Sequence, residues 1–386
     1  MHKYKYVIII MFFLPLLFVI GIIFRGQKTV SVIENRALIT FPKFTFRSFK
    51  KGSFQNQLES ALADQFIFSQ SIKKYQIKFT TNITEKLTNF VLNGNVMNKK
   101  SHNYYIKIAG DYYHYNESDY IIQRPKSKKF VYDYYKKIFN NINFPEKYIY
   151  FIEKDYTIDF NNIASKEKVF QEIKNNFDAK AYGRFTLDSY EDLKKYFYQT
   201  DHHWNYIGQL RGYKQIINLL LGENEKTLEP IDKVTYDVIF NGSASRKTLT
   251  ATSKEKFTVY KYNLPTFKSY INDQEKQYGN HKLYDDGNFS TEVYTNHYSV
   301  YYGGDHAKVT YDFNNPDKKN LLIFATSFSN SINELIASHF NKTYIIDLRH
   351  YDKKYKEPKY FNKFIKEHNI NQILIIGSIT SFVDKL

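Results

Sequence analysis

The 386-residue chain contains no cysteine. Disulfides, thiolate zinc sites and a cysteine nucleophile are therefore excluded together. Arginine is scarce as well, supplying eight of the 55 basic side chains, so the formal net charge of +16 is carried by lysine. Arginine is the side chain that reads bases and phosphates bidentately, and its scarcity argues against a nucleic-acid partner. Lysine here accompanies abundant Tyr, Asn, Ile and Phe, the residues of AT-rich codons, so coding composition accounts for the basicity as readily as a polyanionic partner does. The chain has no G-x-G-x-x-G, no P-loop, no kinase signature and no H-E-x-x-H. Neither an organic cofactor nor a metal is expected. There is no internal repeat and no low-complexity linker. What remains is a chain that is 42% hydrophobic, long enough for one large domain or two ordinary ones with an ample core.

One long apolar run is present, the 18 uncharged residues Val7–Phe24, broken by Pro15 and Gly21. Crossing a hydrocarbon core of ~30 Å takes roughly 17–25 helical residues, so this run is expected to span a bilayer once. Lys3, Lys5 and the amino terminus precede it, and Arg25 and Lys28 follow. That balance favours a cytoplasmic tip and an exported body. Neither an A-x-A-like exit nor a lipobox-type cysteine follows the run, which favours a retained anchor over a cleaved signal peptide. The expected address is the cell membrane, single-pass, with the catalytic part extracytoplasmic.

Residues 26–52, with Pro42 and the aromatics Phe41, Phe44, Phe46 and Phe49, read as an extended stalk. Phe54, Leu58, Ala61 and Leu62 then fall on one helical face, with Ser53 as the expected N-cap. Residues 95–145 give no clear pattern. Tyr148–Ile152 reads as a strand, and residues 190–198 and 207–221 as helices. Residues 223–310 show strand-like Tyr/Thr/Val alternation with turn clusters at Asn241-Gly242, Asp286-Gly287 and Gly303-Gly304. The C-terminal part is plainer. A strand Leu321–Ala325 leads to a helix starting near Ser329, with Ile332, Leu335, Ile336 and Phe340 on one face. A strand Tyr344–Leu348, a helix over 360–368 and a strand Ile373–Ile376 follow. Short connections in a β-α-β-α-β order require a parallel sheet with helices packed on it. The expected organisation is a tip and anchor over 1–25, a stalk and membrane-proximal helical segment over 26–95, and an α/β domain over 96–386.

Open parallel sheets collect function at the carboxyl ends of their strands. Ser327 stands at such a place, where its hydroxyl could act as a nucleophile and the amides of a new helix could stabilise an oxyanion. Ser327 or Ser329 could equally serve as the helix N-cap. A serine nucleophile needs a base held by a third group. The run Thr200-Asp201-His202-His203-Trp204-Asn205 offers one, because in non-helical chain Asp201 and His203 share a face and can hydrogen-bond. His202 then faces away. A paired histidine at a turn, or a site in which both histidines bind metal, is the alternative reading.

These pieces resemble a known family. Glu34-Asn35-Arg36, Pro42, Gly52-x-Phe54-x-x-x-Leu58-Glu59 and Asp64-Gln65-Phe66 resemble the membrane-proximal segment of bacterial DHHW-type proteins, relatives of the SGNH-like alginate O-acetyltransferases. Thr200–Asn205, after the Tyr-rich stretch 196–198, is similar to their D-x-H motif. Thr326-Ser327-Phe328-Ser329 looks like their serine block, and Asp347-Leu348-Arg349 like the strand end after it. The resemblance runs discontinuously from about residue 30 to the C-terminus.

It implies a permuted SGNH-hydrolase-like α/β fold with Asp201 and His203 preceding Ser327 as a Ser-His-Asp triad. It also implies acyl transfer, usually of acetyl, to a cell-surface or exported polysaccharide, with acyl groups supplied by a separate multi-pass membrane-bound O-acyltransferase. Two departures stand out. Ala325 lies two before the serine, where many relatives have Gly or another small or acidic residue, and the family's oxyanion Gly and Asn blocks have no obvious counterpart. Gly242 and Gly304 are candidates, or ordinary turn glycines. Phe328, Ser329, Arg349, His202 and Trp204 complete the candidate oxyanion and substrate-binding set. The same triad would serve an esterase with water as acceptor, and the fold alone would serve a non-catalytic glycan-binding subunit.

Overall fold

The computed structural model describes residues 26–31, 36–66 and 105–384, apart from residues 116–117, 125–129, 161, 252 and 352–356. Phe13, Ile72, Tyr75, Phe79 and Ile83 are described singly. The expected membrane-spanning run, Phe13 apart, lies outside the described residues, as do Glu34 and Asn35. Among the described residues no helix is long and apolar enough to cross a membrane.

An eight-stranded sheet organises the chain. Its strands in chain order are β1 (Lys147–Ile152), β2 (Ala181–Phe185), β3 (Lys268–Ile271), β4 (Gln274–Glu275), β5 (Lys308–Asp312), β6 (Leu321–Phe324), β7 (Lys342–Ile346) and β8 (Gln372–Gly377). Across the sheet the order is β4-β3-β5-β7-β6-β8-β1-β2. The pairs β7·β6, β6·β8, β8·β1 and β1·β2 are parallel. The β5·β7, β3·β5 and β4·β3 pairs extend one edge in antiparallel fashion. The fold is thus mixed α/β, with a large, mostly parallel sheet flanked by helices.

The central strands read as unbroken apolar runs because both of their faces are covered. Alternate residues go to opposite sides. Leu321 and Ile323 join Tyr148, Tyr150, Leu374 and Ile376 under the helix Tyr206–Leu221, which contributes Tyr213, Ile216, Ile217 and Leu220. Leu322 and Phe324 join Ile149, Phe151 and Ile375 beneath helices Asp133–Asn140 and Pro358–Glu367. From β6 the chain moves to β7 on one side, and β8 returns on the other. A crevice is therefore expected at the carboxyl ends of β6 and β8.

Two annexes complete the body. Residues 105–123, whose sequence gives no clear pattern, form a three-stranded meander. Within residues 223–310, strands Asp232–Ile239 and Lys256–Lys261 pair antiparallel and bury Tyr236, Phe240 and Phe257 against Tyr284, Tyr298 and Tyr301. Asn241-Gly242 is no simple turn there: Gly242 precedes the helix Ser243–Thr248.

The N-terminal segment departs from the extended stalk. Val30–Ser31 pairs with Arg36–Ala37, and Phe46–Lys50 is helical with Thr45 as N-cap. The helix Ser53–Gln65 follows. Its N-cap is Gly52 at φ 74°, a left-handed conformation natural to glycine, and Ser53 is its first helical residue.

Candidate active site

After β6 the chain does not enter a helix near Ser329. Residues 326–332 turn repeatedly through short bonds, with Ser329 N–H donating to Thr326 O (3.1 Å), Asn330 N–H to Ser327 O (3.3 Å) and Ile332 N–H to Ser329 O (2.8 Å). The helix starts only at Asn333. Ser329 is fully buried, and its hydroxyl also donates to Thr326 O at 3.2 Å. Its amide and hydroxyl both close the turn, so it is neither an N-cap nor a free oxyanion donor. Ser327, by contrast, is partly exposed at the sheet edge.

The partner loop comes from residues 198–203. Phe197 and Trp204 form an isolated antiparallel bridge, and Tyr198 N–H donates to His203 O at 3.2 Å, so the loop is pinched at its base and non-helical. Asn205 caps the following helix, its side chain accepting from the amides of Ile207 (3.0 Å) and Gly208 (3.1 Å). Inside this loop Asp201 Oδ1 accepts from His203 Nδ1 at 2.5 Å and from the His203 amide at 2.9 Å. His203 Nε2 lies 2.8 Å from Ser327 Oγ. The Asp201–His203 pair, 124 residues from the serine, thus meets it in a relay with hydrogen-bonding distances at both steps.

The walls fix that imidazole. Tyr298 stacks on His203 with ring centroids 3.9 Å apart and planes 6° from parallel, and Phe328 stands edge-on at 5.1 Å. The Tyr298 hydroxyl donates to Ser327 O at 2.9 Å, so one side chain holds both base and serine turn. Burial keeps that phenol well above its usual pKa and hence neutral. Trp204 is fully buried and its Nε1 donates to Ser331 Oγ at 3.0 Å, which places it in support of the turn rather than at an exposed binding face.

A third segment grips the acid. Ser243 N–H donates to Asp201 Oδ2 at 2.5 Å, while Ser243 Oγ pairs with His202 Nδ1 at 2.5 Å. Gly242 packs so closely that an added Cβ would lie 2.2 Å from Asp201 Cβ, and its amide donates to Thr200 Oγ1 at 3.0 Å. Gly242 therefore lies against the acid with its amide bonded to Thr200. Burial alone would raise the Asp201 pKa. His203, His202 and Arg246 outweigh it and hold the carboxylate well below its usual range, so it stays ionised. His202 is held well below its ordinary value, chiefly by burial, and is neutral.

Gly304 meets the serine turn through its carbonyl, which accepts from Asn330 Nδ2 (3.1 Å) and Tyr278 OH (2.6 Å). Its φ of 74° explains the glycine. Arg349 donates to Asp347 and, at 2.9 Å, to Asp305, which in turn accepts from Asn330 Nδ2 at 2.9 Å. Arg349 thus braces the far side of the turn.

Among the described residues two groups of side chains could converge on a cation, Asp201-His202-His203 and Asp305-Asp347-His350. In the first, the facing atoms are engaged in the hydrogen bonds just described. In the second, the Arg349 guanidinium binds both carboxylates.

Three contributors were not among the sequence candidates. Ser243 and Tyr298 act through distant contacts. Lys154 is buried beyond the end of β1, 3.5 Å from Asp155, and lines a cavity with Asp201, His202, Tyr112 and Gln123. Its position at a strand's carboxyl end is the one clue that could have singled it out. A larger cleft, lined by Tyr260, Tyr278, Tyr301, Tyr302 and Glu334, includes neither Ser327 nor His203.

No protein-family model matches the chain, and no curated protein matches it in sequence. Solved structures do resemble it. Bacillus cereus PatB1, in a structure with a sulfonyl adduct, is 19% identical over 69% of this chain and 94% of its own, with a TM-score of 0.49. A DHHW family protein of Eubacterium siraeum is 18% identical over 75% of this chain and 94% of its own, with a TM-score of 0.53, a likeness of fold.

Proposed function

We propose that the chain is a serine-dependent O-acyltransferase of SGNH-like, permuted architecture. In this reading it is anchored by Val7–Phe24 and acts outside the cytoplasm on a cell-surface or exported polysaccharide. The observation that carries it is the relay Asp201 Oδ1–His203 Nδ1 (2.5 Å) and His203 Nε2–Ser327 Oγ (2.8 Å) at the carboxyl end of a parallel sheet. His203 Nε2 takes the hydroxyl proton as Ser327 Oγ attacks the acyl carbonyl, and ionised Asp201 stabilises the imidazolium that forms. In this reading the amides of Ser327 and Phe328, at the head of the turn, supply hydrogen-bond donors to the developing oxyanion.

Collapse expels the donor's leaving group, which takes the proton from His203. A sugar hydroxyl, deprotonated by the same nitrogen, then attacks the acyl-serine; the adduct collapses with cleavage of the Ser327 Oγ–acyl bond, Oγ takes the proton back from His203, and the acylated sugar leaves. Burial of His203 between Tyr298 and Phe328 supports transfer by limiting water at the base. In this reading a separate multi-pass membrane-bound O-acyltransferase supplies the acyl group.

The test is incubation of the purified full chain with an activated acetyl ester, with and without oligosaccharide. An acetyl group on the peptide carrying Ser327, lost in S327A and H203A, and its passage to a sugar are expected. Acetylation that survives S327A would overturn the nucleophile, and release only to water would replace transfer by hydrolysis.

A further inference from the structure

We infer that residues 39–58 form a docking surface for an anionic lipid bilayer, lying flat on the membrane just outside the expected anchor. This rests on the anchored reading of the chain and is independent of the acyl-transfer chemistry. Between Ile39 and Leu58 the sequence holds five phenylalanines and four cations, Lys43, Arg47, Lys50 and Lys51, without one acidic residue. Folding does not bury them. Phe46 is 76% exposed and Phe44 62%, and Phe49 is exposed as well. Phe44 packs edge-on against Phe54 (5.2 Å) and tilted against Phe49 (5.8 Å), so these three rings form one apolar patch across both N-terminal helices. Lys43, Arg47, Lys50 and Lys51, interleaved with these rings in the sequence, are all exposed. Exposed aromatic rings interleaved with exposed cations fit a surface whose interior is apolar and whose headgroups are negative.

The chain's path ties one end of this segment close to the apolar run. Lys28 stands four residues beyond Phe24, the end of the apolar run. Its amide donates to Gln65 Oε1 (3.0 Å) and its carbonyl accepts from Gln65 Nε2 (2.8 Å), while Gln65 also donates to Ile39 O (3.1 Å). Gln65 is fully buried. Ordered structure therefore begins within four residues of the apolar run, roughly 14 Å of extended chain at most. A helix pair tied so near the exit has no stalk to lift it away from the headgroups.

The absence of cysteine permits a background-free test. The full chain carrying F46C, labelled with an environment-sensitive fluorophore, is reconstituted in bilayers of phosphatidylglycerol or phosphatidylcholine containing nitroxide lipids. D237C, at an outward-facing, highly exposed position, is the reference label. Strong quenching at position 46 in phosphatidylglycerol is expected, with little at 237. Replacing Lys43, Arg47, Lys50 and Lys51 by Gln should bring the quenching at 46 down to the level at 237, with the thermal transition unchanged. Equal quenching in both lipids, or at both positions, would overturn the proposal. So would quenching that appears only when a second membrane protein is co-reconstituted, which would make the patch a protein interface. Ester acylation of Ser327 is read on the same preparations, so loss of docking and loss of chemistry are separate results.

Discussion

Gly242→Ala tests whether the site depends on a grip outside the D-x-H segment. The new Cβ would lie 2.2 Å from Asp201 Cβ, 2.6 Å from Oδ2 and 2.7 Å from Cα, so two of its three nearest contacts are unable to swing away. Ordinary carbon contacts need about 3.5–4.0 Å, so one strand of chain must retreat by more than ~1 Å. A shift of that size breaks the 2.5 Å bond from Ser243 N–H to Asp201 Oδ2 and tilts the carboxylate that orients His203. Misplacement of a catalytic group by ~1 Å costs roughly a hundredfold in rate. Overpacking of this kind costs about 1–3 kcal/mol of stability. The expected result is a folded protein whose Ser327 acylation by an activated acetyl ester is slowed about a hundredfold through kcat, with KM for the donor little changed. S243A keeps the backbone donor to Asp201 and loses only the His202 contact, so its effect should be much milder. If G242A were folded and acylated within about threefold of the wild-type rate, the grip on Asp201 would be irrelevant to the reaction and the reasoning refuted.

Three further expectations follow from neighbouring contacts. K154M leaves Asp155 buried without its cation, and Asp155 Oδ1 has no hydrogen-bond partner, so thermal denaturation should show a loss of about 3 kcal/mol that K154M/D155N largely restores. W204F removes the 3.0 Å bond to Ser331 while Tyr298 still reaches that hydroxyl at 3.2 Å; calorimetry should register about 1–2 kcal/mol, and an unchanged melting temperature would rule out a supporting role. Glu255, whose carboxylate accepts from the Gln199 amide at 2.8 Å, is pushed up to about 7 by burial. Its folded pKa is above the unfolded one, so its contribution is complete below about pH 4.5 and declines as pH rises to about 7, by at most ~3 kcal/mol. E255Q should flatten that part of the stability–pH curve, and an unaltered slope would contradict the assignment.

What could be read from the sequence, and what could not, divides by distance along the chain. The central strands were legible because parallel strands covered on both faces become continuous apolar runs, as Leu321–Phe324 and Gln372–Gly377 do. The meander over 105–123 was not, since its Tyr-rich strands are only partly covered. The helix expected near Ser329 shows how periodicity misleads. Ile332, Leu335, Ile336 and Phe340 do share a buried face, but residues 326–332 reach it through i−3 turns, which preserve the apolar spacing without an α-helix. In the stalk, aromatic alternation mimicked extended chain, while the local cap of Thr45 on Ser48 N–H made a helical turn.

The same division runs through the site. Asp201 and His203 could be paired on paper because their geometry is settled within three residues by the bridge Phe197–Trp204. Gly242 could not be understood that way. A glycine at φ −76° has no conformational need to be one, and an alanine would sit there unstrained but for a carboxylate 41 residues upstream. Tyr298 is a still harder case, one of 36 tyrosines, distinguished only by stacking on His203 and bonding to Ser327 O. The reacting groups announce themselves because chemistry restricts residue type. The groups that hold them do not, because a donor or a flat ring can be supplied by many residues from anywhere in the fold. A substitution scan for function confined to the D-H-H-W and T-S-F-S runs would therefore miss the contacts that set the Asp201 carboxylate and the His203 ring, and residues 241–243 and 298 are where it must extend.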